Sequence, residues 1–209
     1  RELTTNYGFK VEVIKNADKK TVMEKLKIYA QKNYLPEDQL FIFFAGHGKF
    51  DPVFGEGYVV CKNSLKKDDG NSTYIPHSSL RTIINNIPTR HTLLTMDVCF
   101  GGTFDPVIAL RGEENQKKAS KTEFIRKKMQ FKTRKYLTSG GKEYVPDGIP
   151  GKHSPFVRKF LTALRNYGGE DGILTTSELL TYFQGIKPAP RFGEFGSNEP
   201  GSDFIFIAK

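Results

Sequence analysis

Cysteine is scarce in this chain: its 209 residues hold two, Cys61 and Cys99, beside four histidines. Two cysteines exclude a disulfide framework, and no stretch has the ligand spacing of a zinc site. They fit a reducing, cytoplasmic compartment, where the default role of each is a small buried hydrophobe. Long apolar runs are missing as well. The longest, Leu40 to Ala45, falls far short of the roughly 20 residues a membrane-spanning helix needs and suits a buried strand. The chain opens at Arg1 without a signal peptide or initiator methionine, so a targeting segment could have been removed. Low-complexity stretches, internal repeats and a second-domain boundary are also lacking. One ordered domain over residues 1–209, with a sizeable core, is the expectation.

Acidic residues are outnumbered, 23 against 32 lysines and arginines, for a net charge of +9. That balance invites nucleic acid as a partner. Much of the excess, however, lies in one segment holding Lys117, Lys118, Lys121, Arg126, Lys127, Lys128, Lys132, Arg134 and Lys135. No aromatic-plus-glycine RNA signature accompanies it, so a solvated basic connector over 111–135 is expected and nucleic acid is disfavoured.

Helix and strand signals alternate, which predicts an α/β fold with a mostly parallel sheet. Phe9 to Ile14, Leu40 to Ala45, Gly57 to Cys61, His91 to Val98, Arg134 to Ser139 and Asp203 to Ala208 read as strands. Leu40 to Ala45 reads as a strand covered on both faces. Asp18, Ser78 or Ser79, Ser154 and Thr175 read as helix caps, with Pro155 in a first turn and Glu178 completing a capping box.

Two of these strands end in reactive groups. The first runs Phe41-Ile42-Phe43-Phe44-Ala45-Gly46-His47-Gly48, the second Leu93-Leu94-Thr95-Met96-Asp97-Val98-Cys99-Phe100-Gly101-Gly102. Ligands of open α/β sheets gather beyond the carboxyl ends of strands, where both segments deliver their histidine and cysteine. Flanking glycines allow close approach of a substrate backbone and leave N–H groups free for an oxyanion. His47 lies 52 positions before Cys99, matching the caspase order of a histidine about 50 residues upstream. A Cys-His nucleophile follows. Strand alternation puts Asp97 on the same face as Cys99. His77, His91 and His153 lack the flanking glycines and read as surface or capping residues.

The pair FFAGHG and MDVCFGG, followed by LTSGGKE, SPFVRKFLTAL and GSDFIFIA, resembles the motifs of the caspase/metacaspase superfamily, above all its bacterial, orthocaspase-like members. The likeness runs from about Tyr7 to the C-terminus. It implies a three-layer sandwich, a mostly parallel central sheet flanked by helices, and a cysteine endopeptidase with a His47–Cys99 dyad. It also implies an oxyanion hole from the N–H groups of Gly48 and Cys99. Metacaspases carry aspartate where this chain has Asp97 and cut after arginine or lysine, so the implied partner is a protein or peptide with a basic residue before the scissile bond. The same resemblance puts Ser139 on the other wall of that pocket and Asp147 as a second carboxylate. It makes 111–135 a processing connector, through which autoprocessing would occur.

One departure stands out. The family's first strand, next to the one matching Phe9 to Ile14, would precede Arg1. An N-terminal segment or separate chain is therefore expected to complete the sheet. No cofactor is required. Asp68, Asp69 and Asn71 could touch a calcium ion but do not match an EF-hand loop, and a solvated turn is the simpler expectation. The alternative to an enzyme is a catalytically silent caspase-like scaffold or binding module.

Overall fold

His91 to Val98 has the composition of a strand with no face to water, and every residue in it except Asp97 is buried. Around it the chain builds three layers. The structure, a computed structural model, describes residues 1–99, 101–103, 120–141, 151–166 and 168–209. In chain order the elements are helices α1 (Glu2–Tyr7) and α2 (Lys19–Ala30), then strands β1 (Gln39–Gly46), β2 (Gly48–Asp51), β3 (Glu56–Val59) and β4 (Ile75–Pro76). Helix α3 (His77–Asn85), strand β5 (His91–Val98), a 3-10 turn (Gly101–Thr103), helix α4 (Lys121–Lys128) and strand β6 (Thr133–Thr138) follow. The chain closes with α5 (Pro155–Arg165), β7 (Ile173–Thr175), α6 (Thr176–Tyr182), β8 (Arg191–Glu194) and β9 (Ile205–Ile207).

The central sheet has the order β1-β5-β6-β8. β1, β5 and β6 are parallel, with Gln39 opposite His91 and His91 opposite Thr133, and β8 runs antiparallel on β6. Alternation along β5 then sorts the core. Leu94, Met96 and Val98 pack with Leu26 of α2 and with Leu80 and Ile84 of α3. Leu93, with Leu137 of β6, packs on the other face with Tyr7, Phe156, Phe160 and Leu179 of α1, α5 and α6. This is the expected α/β/α sandwich.

The caps at Asp18, Ser154 and Thr175 are as expected: each side chain accepts the N–H three residues on, and Glu178 closes its box. α3 differs, starting at His77 behind Pro76 with no side-chain cap, ahead of the serines expected to begin it.

Two strand expectations need correction. Among the described residues Phe9 to Ile14 pairs with no strand; Phe9 packs on Phe204 and Phe206 while Val11, Val13 and Ile14 lie exposed. An alternating pattern makes a strand only where its backbone groups meet a neighbouring ladder, and this segment lies against none among the described residues. β1 is not covered on both faces, since Phe43, Ala45 and Gly46 are exposed, and among the described residues no strand pairs with its outer edge. The strands read at Gly57 to Cys61 and Asp203 to Ala208 do form, as β3 and β9; β3 lies in a separate three-stranded sheet with β2 and β4, and β9 pairs antiparallel with β7.

The basic segment is also more ordered than a loose connector. Arg111, Lys117 and Lys118 lie outside the described residues, but Lys121 begins α4, which Ser120 and Glu123 cap reciprocally. Arg134 is fully buried. Its guanidinium donates to the carbonyls of Ile87, Thr89 and Thr133 at 2.8 Å and to those of Asn85 and Arg90 at longer range. It thereby satisfies the end of α3 and the turn behind it, and burial lowers its pKa to about 10. Lys135 is buried against Asp203 at 3.2 Å.

Candidate active site

β1 and β5 run side by side in parallel and end level, Gly46 opposite Val98. The next residue of each is therefore His47 and Cys99. Both line one cavity of about 440 Å³, together with Ala45, Gly46, Asp97 and Val98 from the strand ends and Lys152, His153, Ser154 and Val157 from the start of α5. His47 is exposed, Cys99 is buried and Asp97 lies between. The second cysteine is in another setting: Cys61 sits in the core on the α2/α3 face, where burial raises its thiol pKa.

The backbone around the cysteine is packed so tightly that it selects glycines. A Cβ on Gly48 would land on the Cys99 carbonyl oxygen and within 3.3 Å of the Cys99 nitrogen. The two chains therefore touch directly, and any side chain at 48 would push them apart. Val60 N–H donates to His47 O at 2.9 Å. Its neighbour Gly48, opposite Val59, thus falls at a non-hydrogen-bonded pair of the antiparallel ladder, which does not use the Gly48 N–H.

Behind Cys99 the 3-10 turn is held by Thr103, whose Oγ1 lies 2.8 Å from His77 Nδ1. His77 is fully buried, and burial pulls its pKa down to about 4. His91, at the start of β5, is likewise without accessible surface, 3.0 Å from Thr133 Oγ1, and its pKa falls to about 4, mainly through burial. Neither is the surface or capping residue expected; their threonine partners lie 26 and 42 residues away. His153 is exposed, but it lines the cavity.

Asp97 accepts a hydrogen bond on Oδ2 from Ser154 Oγ at 2.7 Å. Ser139 is one residue beyond β6, fully buried, with its N–H on Met96 O at 3.0 Å and its Oγ without a hydrogen-bond partner among the described residues. Extending the β5–β6 register by one step puts it beside Asp97, though it does not line the cavity. Asp147 lies outside the described residues. Sequence reasoning missed Lys152, His153 and the second role of Ser154. The only local signal was Ser154-Pro155, which announces a helix start and says nothing of a partner 57 residues away.

Among the described residues no group of three or more histidine, cysteine or acidic side chains is arranged to hold a metal. Asp68 accepts from Thr73 N–H at 2.7 Å and Thr73 Oγ1 at 2.6 Å, bonds that lower its pKa to about 2. Asn71 bridges Lys49 and Asp51, each at 2.8 Å. These side chains are engaged by neighbouring donors and acceptors. Nor, among the described residues, is any helix long and apolar enough to cross a membrane.

A family model described as Caspase domain matches residues 1–185. No match to a curated protein was found.

Proposed function

From a chain that belongs to the caspase-domain family, a family of cysteine peptidases, we propose an endopeptidase that cuts after arginine or lysine, with Cys99 as nucleophile and His47 as its acid and base. The observation that carries this reading is the shared cavity into which two adjacent parallel strands deliver His47, Asp97 and Cys99. In the first half-reaction the Cys99 thiolate attacks the scissile carbonyl carbon, and His47 protonates the leaving amine as the C–N bond breaks. In the second, His47 takes a proton from water, whose oxygen displaces the thiolate from the acyl-enzyme. The N–H groups of Gly48 and Cys99 would hold the oxyanion. The contact between the two backbones, and the Gly48 N–H left unused by its ladder, support that pairing.

Asp97 gives the pocket its sign. A half-buried carboxylate attracts a cationic side chain and repels an acidic one, and arginine can fork onto it with two hydrogen bonds. Ser139, next to Asp97 in the β5–β6 register but outside the cavity lining, would support that wall of the pocket from behind.

A peptide library varied at the residue before the scissile bond tests the reading. Cleavage is expected after arginine and lysine, and Cys99→Ala and His47→Ala should each lose at least about a thousandfold in kcat/KM with the fold intact. Preferred cleavage after aspartate would overturn the pocket assignment, and near-normal turnover by either variant would overturn the dyad. Failure of an arginyl chloromethylketone to label Cys99 would point instead to a silent scaffold.

The same specificity would make the chain a substrate of its own site. With Lys121 in a capped helix, cuts are expected after Arg111, Lys117 or Lys118, a short tether giving a high effective concentration. Mass spectrometry of wild-type and Cys99→Ala protein decides it: new termini absent from the variant are expected, and an active enzyme with 111–121 intact would end the idea.

A further inference from the structure

We infer that Ser154, the residue that starts α5, is a positioning residue for substrate selection: it fixes the carboxylate of Asp97 so that arginine is favoured over lysine. The inference rests on the reading of Asp97 as the group that meets the basic side chain.

The geometry constrains the hydroxyl at both ends. Ser154 Oγ accepts the N–H of Val157 at 3.0 Å, as an N-cap, and lies 2.7 Å from Asp97 Oδ2. An ionised carboxylate can only accept, so the hydroxyl hydrogen must go to Asp97. Ser154 is itself buried, with 9% of its surface accessible. The helix it caps is anchored by Phe156, stacked on Phe183 at 4.8 Å, and by Phe160, stacked on Phe41 at 5.7 Å. Asp97 is thus tied to an element that packs on the sheet rather than to a loop, the arrangement in which a supporting residue can fix a rotamer. Among the described residues Ser154 is its only hydrogen-bond partner. Oδ1 and the remaining lone pair of Oδ2 are left for a ligand.

A fixed carboxylate plane matters unequally to the two cations. The guanidinium is a planar fork that must be coplanar with the carboxylate for two hydrogen bonds, whereas the ammonium of lysine is a point charge with rotatable donors. Freeing Asp97 to rotate should therefore weaken arginine recognition more than lysine recognition, and should leave a neutral isostere unaffected.

Peptides that differ only in arginine, lysine or citrulline before the scissile bond provide the test, assayed with wild type, Ser154→Gly, Ser154→Thr and Asp97→Asn. Glycine caps a helix almost as well as serine, so Ser154→Gly removes the donor while keeping the helix start. We expect kcat/KM on the arginine peptide to fall by about tenfold through KM, on the lysine peptide by less, and on the citrulline peptide not at all. Ser154→Thr should restore the wild-type ratio. An equal loss on all three peptides, or no change, would overturn the role of Ser154 while Asp97→Asn still abolished the preference for basic peptides. Retention of that preference in Asp97→Asn, or no cleavage by wild type, would instead remove the underlying reading and this inference with it.

Discussion

β5 and β1 each deliver one of the two proposed catalytic side chains, and they are held in opposite ways. β5 is bonded along both edges, to β1 and β6, and buried on both faces. Buried histidines stand at both its ends, His91 at the start and His77 behind the turn that follows Cys99. Among the described residues β1 is bonded along one edge, and three of its last four residues, Phe43, Ala45 and Gly46, are exposed ahead of His47. The position of the cysteine is therefore set by many independent contacts, and that of the histidine by far fewer. In a site whose chemistry depends on the distance between the two, the adjustable partner is His47.

Truncating an equivalent apolar residue in each strand should expose the difference most strongly. Leu94 has no accessible surface and sits in the core on the α2/α3 face, whereas Phe43 is 37% exposed. Leu94→Ala is expected to cost about 3–5 kcal/mol, as for fully buried leucines. Phe43→Ala should cost about 1 kcal/mol, in proportion to the smaller apolar area it covers. Urea unfolding of both variants measures it, and equal losses would break the comparison.

Acid should reverse the ranking by attacking the firmer strand. Above pH 6.5 the rings of His77 and His91 are neutral in folded and unfolded chains alike, and their contribution does not change with pH. Between about 6.5 and 4 the unfolded chain takes up protons that the buried rings refuse, so stability falls as pH falls and levels off below about 4. His77 should account for roughly 3 kcal/mol of that loss. His91, whose pKa is lowered to about the same value, should add a comparable share. Unfolding at pH 7, 5.5 and 4.5, repeated with His77→Asn, checks it; an acid profile unmoved by the substitution would clear His77 of the role.

Both strands were legible in the sequence, but in different ways. β1 is the longest apolar run of the chain, whereas β5 mixes Leu93, Leu94, Met96 and Val98 with polar residues, and its motif announced Cys99 and Asp97 directly. The fold's layers followed from the same kind of signal in α2 and α5, whose caps and periodic apolar faces are local. What stayed hidden depends on distant partners. Phe9 to Ile14 has a strand's alternation, yet among the described residues no strand pairs with it. His77 and His91 look like surface histidines until Thr103 and Thr133 fold against them. Arg134 reads as part of a charged run, yet it closes the end of α3. Ser154 reads as a cap, and its bond to Asp97 becomes visible only once β5 and α5 are neighbours.

The smallest effect expected is local to the open edge of β1. In a parallel ladder a strand directs alternate N–H groups to its two sides. With β5 on one side only, every second amide of Gln39 to Gly46 should exchange with solvent without protection, while both sets in β5 stay protected to near the global unfolding limit. Hydrogen exchange resolved by NMR distinguishes the sets. The resemblance puts a missing strand next to the segment Phe9 to Ile14, and we propose that a strand from outside residues 1–209 occupies the open edge of β1. Val11, Val13 and Ile14 are exposed apolar side chains in the segment that the resemblance puts next to such a strand. A chain extended upstream of Arg1 should then slow the exposed set of β1 amides and leave β5 unchanged. It should also tighten the position of His47, which a rise in kcat without a change in KM would register. Unchanged exchange in the extended chain would mean that the edge is free, and that the looser hold on His47 belongs to the finished enzyme.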